Sequence, residues 1–158
     1  MAVFKASGNV VAAAGAAPFL TINGAAGRNV KVKKIIISGL TLTAVQYLRL
    51  GLAKYSTAHT GGTSTAPTLV ALSSSDATTA GATVAQYTAA PTPGTLLGGI
   101  SEVRVLGQAT TAAAAGIPNI VSFDVDINLF GTNENISALF LAAPATAVTL
   151  SYDILFES

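Results

Sequence analysis

VKVKKIIISGLTLTAVQYLRLGLAKY, residues 30–55, decides the fold, because two long runs of β-branched and leucine residues meet there across a short break at Ser38 and Gly39. In the second run Leu48, Leu50 and Leu52 fall on one face and Tyr47, Arg49 and Tyr55 on the other, the period of two that marks a half-buried strand. The first run interrupts that period. Val30 and Val32 alternate with Lys31 and Lys33, but Lys34 follows directly and Ile35, Ile36 and Ile37 are apolar on both faces. This predicts a bulge near Lys33 and Lys34 and burial on both sides beyond it. For an antiparallel strand, the simplest cover for the second face is another subunit.

Outward from this stretch the chain reads as short strands separated by Gly, Pro, Asn and Asp. Strands are expected at residues 2–7, Pro18–Asn23, 68–72, 83–88, 95–106, 120–129, 136–141 and 148–156. Strict alternation puts Phe123, Val125, Ile127 and Leu129 inward in one of them, and Val148, Leu150, Tyr152, Ile154 and Phe156 inward in the last. Residues 73–78 read as a turn or a single helical turn with Ser75 or Asp76 as a cap, and the Ala-rich tract around Ala112 as chain that is packed or at an interface. No repeat or linker divides the 158 residues, so one domain is expected. The fold expectation is all-β: an antiparallel jelly-roll sandwich of about eight strands with an extra N-terminal strand. The immunoglobulin sandwich is the alternative, without its usual Cys and Trp marks.

Composition narrows the function classes. Charged residues make up 9% and apolar residues 51%, with mean hydropathy +0.59, against roughly a quarter charged in ordinary soluble domains. Burial between copies of the chain would account for the excess, and a homo-oligomer is expected. The interface candidates are Ile35, Ile37, Leu139, Leu141 and Val148. A membrane span needs about 18 uninterrupted apolar residues. The best stretch, residues 138–150, is shorter and carries Pro144, so no membrane partner is expected. The start, MAVFKASG, lacks the apolar core of a secretory signal, which predicts synthesis in the cytoplasm. There is no Cys, and a net charge of +1 argues against direct nucleic-acid binding.

The charges are segregated along the chain. Residues 1–75 hold Lys5, Arg28, Lys31, Lys33, Lys34, Arg49 and Lys54 and no acid. Residues 76–158 hold Asp76, Glu102, Asp124, Asp126, Glu134, Asp153 and Glu157 with one base, Arg104. This predicts pairing between first-half and second-half strands, or across subunits. Arg49 in particular is expected beside Asp124, Asp126 or Asp153.

No catalytic constellation is legible. His59 is the single histidine, in a Ser/Thr/Gly loop, and reads as an exposed loop residue. Asp124-Val-Asp-Ile-Asn128 begins like a calcium loop but has Leu129 where the loop needs Gly, and its Val and Ile mark a strand. There is no G-x-S-x-G elbow, P-loop or dinucleotide fingerprint. No enzyme, cofactor or metal is expected. Asn135-Ile-Ser137 matches a glycosylation sequon by pattern only.

Residues 54–98, KYSTAHTGGTSTAPTLVALSSSDATTAGATVAQYTAAPTPGTLLG, carry Ser56 and Thr57, Gly61 to Ser64, Pro67 and Thr68, Asp76, Tyr87 to Ala89, and Pro91, Thr92, Gly94 and Thr95. In these positions the chain resembles a group of small virion proteins of tailed bacteriophages, and VKVKKIIISG is similar to the strand that precedes their loop. The resemblance implies a jelly-roll structural protein, often trimeric, that decorates or cements the capsid, so the expected homo-oligomer is a homotrimer. It implies residence on the capsid surface and the phage major capsid protein as partner. Polar chemistry concentrated in the loop makes His59, Thr60, Gly61, Gly62, Thr63 and Ser64 the candidate capsid contacts. The competing function is a receptor- or glycan-binding protein of a fibre or tail, which the low aromatic content (6%) and the absence of Trp disfavour.

Overall fold

A computed structural model describes residues 2–73, 80–110 and 119–158. The turn around Ser75 and Asp76 and the tract around Ala112 lie outside the described residues. Eleven strands are formed: β1 (Val3–Ala12), β2 (Pro18–Asn23), β3 (Asn29–Leu42), β4 (Gln46–Tyr55), β5 (Thr63–Thr65), β6 (Leu69–Ala71), β7 (Thr83–Ala89), β8 (Leu96–Ala109), β9 (Ile120–Phe130), β10 (Asn135–Phe140) and β11 (Val148–Glu157). No helix occurs among the described residues.

The strands make a curled, mixed sheet, a half-barrel folded over its own core. One layer runs β6-β1-β11-β3-β9 and the other β5-β7-β2-β10-β4-β8. They join where the end of β8 lies parallel to the end of β3, Thr41 opposite Gln108 and Leu42 opposite Ala109. That pairing departs from the purely antiparallel arrangement expected. The expected extra strand is also misplaced: β1 lies between β11 and β6, paired with β11 from Val3 to Ala12.

The bulge is where the lysines put it. Lys34 faces Leu155 and Val32 faces Phe156, so Lys33 has no opposite number on β11. The extra residue resets the phase of the strand, and Val30, Val32, Ile35 and Ile37 all point into the core. Gly39 resets it a second time. Its φ of +64° is a conformation that costs a side-chain-bearing residue about 1–2 kcal/mol, and it lets Leu40 and Leu42 turn inward while the strand passes from β9 to β8. The expected break at Ser38 and Gly39 is therefore a bend within one strand, and the reversal comes after Leu42.

The core is continuous between the layers. Phe4 stacks on Phe156 at 5.7 Å, and Phe19 meets Phe140 at 4.7 Å. The inward sets of β9 and β11 are those that alternation dictates. Each large side chain buried here contributes about 1.5–3 kcal/mol, and the core dominates stability.

The outer face of the first layer is ionic. Lys5 pairs with Asp153 at 3.0 Å, Lys31 with Asp126 at 2.9 Å, Lys34 with Asp124 at 3.0 Å, and Lys33 reaches Asp126 at 3.4 Å and Glu157 at 3.6 Å. In the second layer Arg49 pairs with Glu102 at 2.6 Å, and Lys54 joins Glu134 at 3.0 Å. Every described acid thus meets a base from the first half of the chain. The Lys34 ammonium holds Asp124 below its usual range, Lys31 does the same for Asp126, and the Phe130 N–H, followed by Lys54, does so for Glu134. Arg49 lies on the opposite layer from Asp124, Asp126 and Asp153, which overturns its expected partners and the strand order behind them, in which Arg49 and those three acids share one sheet. The reason is strand order: β4 neighbours β8 and β10, whereas β9 and β11 both flank β3.

Candidate functional site

Residues 56–62 form no free loop. They lie against residues 91–95 and are stitched to them by backbone bonds: Thr60 and Thr92 exchange N–H···O contacts of 3.0 and 2.8 Å, and Ser56 N–H donates to the Thr95 carbonyl at 2.9 Å. The Thr95 N–H donates to Thr57 Oγ1 at 2.7 Å. The pairing continues into β5 and β7, with Thr63 opposite Ala89 and Ser64 opposite Tyr87. Gly62 is required at its place. Its φ is +74°, and a Cβ there would stand 2.8 Å from the Ala89 carbonyl oxygen. Residues 56–65 and 86–95 are therefore brought into one paired ribbon.

The ribbon is seated on the outer face of the second layer by His59. Gly94 N–H donates to Nδ1 at 2.9 Å, which leaves the ring proton on Nε2. Nε2–H then donates to Ser137 Oγ at 2.8 Å, and Ser137 donates to Asn135 Oδ1 at 3.2 Å. Ser137 Oγ also accepts from Thr21 Oγ1 at 2.8 Å, Thr21 is bonded to Tyr87, and Asn135 Nδ2 donates to the Thr57 carbonyl at 3.0 Å. The imidazole edge packs on Tyr55 with centroids 4.6 Å apart. Burial pushes the His59 pKa below its ordinary 6.5. A protonated ring would point an N–H at the Gly94 N–H, so the arrangement holds imidazole in its neutral form.

His59 is thus a half-buried anchor, where sequence reading expected an exposed loop residue. Thr60, Gly61, Gly62, Thr63 and Ser64 are exposed along the rim it holds. Ser137 is 0% exposed, so the His59–Ser137 contact offers no nucleophile to a substrate. Asn135 is equally buried and unavailable as a glycan acceptor in the folded chain. Sequence reading passes over Thr21 and notes Asn135 and Ser137 only as a sequon, not as partners of His59. The signal for them was the uncharged outward face of β2 and β10, polar enough to bond yet carrying nothing that demands water. Beside the ribbon a cleft of about 590 Å³ is lined by Asn23, Arg28, His59, Thr83 and Tyr87 among others. Among the described residues no group of three His, Asp or Glu is placed to hold a metal ion.

The five interface candidates separate. Ile35, Ile37 and Val148 are at most 1% exposed within the single chain, so the core consumes them and they have no surface left for a partner. The outward residue of the isoleucine run is Ile36, opposite Asp153 and Ser122 and half-buried among the ionic pairs. Leu139 and Leu141 do reach the surface. They line an open groove of about 390 Å³ with Leu96, Ile100 and Tyr55 on the outer face beside β8. Tyr47, 74% exposed, and Leu106 stand further along the same face.

Comparison with protein-family models, with curated proteins and with solved structures finds no match for this chain.

Proposed function

We propose that this chain is a jelly-roll structural protein of a tailed-phage virion that sits on the capsid surface as an oligomer and stabilises the shell by contacts with the major capsid protein. The observation that carries the reading is the strand order. Eight strands make β1-β11-β3-β9 in one layer and β2-β10-β4-β8 in the other, the arrangement expected when a chain winds between two four-stranded sheets as a jelly roll. The resemblance in residues 54–98 implies that fold from loop residues alone, and the strand order supports it from residues outside most of that segment.

The contact surface is the exposed rim of residues 60–64, presented by a ribbon whose hydrogen bonds are satisfied internally. A rim held in one conformation loses little entropy on docking, and weak contacts made by several copies at once multiply through effective concentration. The fibre or tail alternative needs aromatic rings grouped for stacking. The exposed rings, Tyr47 and Phe130, stand on different layers.

The test uses shells stripped of the protein. Purified chain is added, sedimented with the shells, and the particles are challenged by heat. Thr63→Glu with Ser64→Glu, which alters the rim and leaves the His59 anchor intact, should abolish co-sedimentation while the unfolding curve holds. Unchanged binding by that variant would remove the rim from the contact. Parent protein that binds without slowing genome release would make it a display protein and reject cementing.

A further inference from the structure

We propose that the outer edge of β8 is a docking surface for a second copy of this chain, joined edge to edge about a two-fold axis at Val103. The inference concerns self-contact alone and stands or falls separately from shell binding. β8 is fourteen residues long and is paired on one side with β4. On its other side, among the described residues, pairing with a strand begins only at Gln108. From Leu96 to Leu106 the strand presents a long edge with Leu96, Leu97, Ile100 and Leu106 exposed. Isolated chains blunt such edges with charge, proline, bulges or a cover; irregular pairing with β4 near Leu97 and Ile100 interrupts the first part of β8, whereas Ser101 to Leu106 pair regularly and carry neither Lys nor Pro.

Its charges show what covers it. Arg104 lies directly opposite Arg49, and Arg49 is bonded through both Nε and Nη2 to Glu102, at 2.7 and 2.6 Å. Two cations therefore face one acid, and among the described residues no acid pairs with Arg104. Like charges directly opposite on a sheet are destabilising. A second copy resolves the imbalance. Antiparallel pairing of β8 with itself must centre on a residue that faces its own mate. Centring on Glu102 or Arg104 opposes like charges, whereas centring on Val103 sets Glu102 against the mate's Arg104 and Arg104 against the mate's Glu102. Both side chains lie on the outer face, opposite Gly51 and Arg49 of β4. The same register brings Ile100 toward the mate's Leu106, apolar against apolar, and extends the groove of Leu139 and Leu141 across the seam. At the end of this segment Asn119 Nδ2 already satisfies the Leu106 carbonyl, and backbone pairing across Glu102 to Arg104 leaves that bond in place. A self-complementary contact closes at two copies, so this edge builds a dimer, not the trimer expected from the resemblance.

Light scattering of the full chain over a concentration series in low salt should give twice the 15.7 kDa chain mass, relaxing toward one chain on dilution. Arg104→Glu should weaken self-association by about tenfold or more, because it strikes both symmetry-related pairs. Compared at a dilution where both proteins are single chains, it should not lower the unfolding temperature, since the new carboxylate faces Arg49. Glu102→Arg combined with Arg104→Glu restores opposite charges across the seam and should restore the dimer. A one-chain mass at every concentration, a three-chain mass, or a dimer indifferent to Arg104→Glu would overturn the proposal.

Discussion

Replacing Ser137 by Ala removes one hydroxyl from the centre of the ribbon's anchor without adding volume. Asn135 Oδ1 loses the donor at 3.2 Å in a residue that is 0% exposed, and a buried acceptor left unpaired costs about 1–3 kcal/mol. Thr21 can turn its hydroxyl toward Tyr87, and the half-buried His59 can recover a water on Nε2, so together these add at most about 1 kcal/mol. The expected destabilisation is about 1–4 kcal/mol, which for a chain of this size lowers Tm by about 2–16 °C. Thermal unfolding followed by circular dichroism measures it directly. Limited proteolysis in the native state should show cleavage within residues 56–62 rising before global unfolding, because the ribbon loses its seat while the core stays intact. A Tm within about 1 °C of the parent, with the segment still protected, would refute the claim that the His59–Ser137–Asn135 chain holds the ribbon.

Acid should destabilise the protein in two stages of the same sign. His59 titrates below 6.5 in the folded state, so its contribution is complete above 6.5 and is lost as the pH falls from there through the lowered value; His59→Gln should flatten this stage of a Tm-against-pH curve. Asp124, Asp126 and Glu134 are also held low, so their contribution is lost as the pH falls through their depressed values, and 1 M salt should flatten this exposed stage more than the first. Gly62→Ala should cost about 2 kcal/mol or more, from a φ of +74° and the Ala89 oxygen, whereas Gly61→Ala, with a φ of +65° but open space around it, should cost about 1 kcal/mol; equal costs in urea unfolding would reject the steric part. Arg49→Ala should change stability by no more than about 1 kcal/mol, because the Glu102 pair is solvent-exposed and the neighbouring Arg104 is relieved; a larger loss in urea would show the face to be covered.

Most strand positions, the inward faces and the Lys33 bulge were open to sequence reading because each depends on neighbours two residues apart, whereas β5 lay hidden in a stretch that reads as a Ser/Thr/Gly loop. Phe123 and Val125 declare their face beside Ser122 and Asp124 whatever strand lies next to them. The segregation of bases and acids was legible too, and it constrained the fold to join first-half strands to second-half strands. Gly39 was misread as a break because a left-handed glycine looks alike in a turn and in a bulge. Only the continuation of pairing onto β8 distinguishes the two.

What the amino-acid order determined by itself is therefore the all-β class and the side of each strand that meets the core, since a local period of two is sufficient for both. Tertiary structure alone decided partners. It paired Arg49 with Glu102 by placing β4 beside β8, and it consumed Ile35, Ile37 and Val148 in the core. It also made His59 an anchor by bringing Ser137 to it across 78 residues and Thr21 to Ser137 across 116. Contacts at such separations depend on the order of strands in the layers, which the whole set of strand pairings determines together and which no single stretch of the chain encodes.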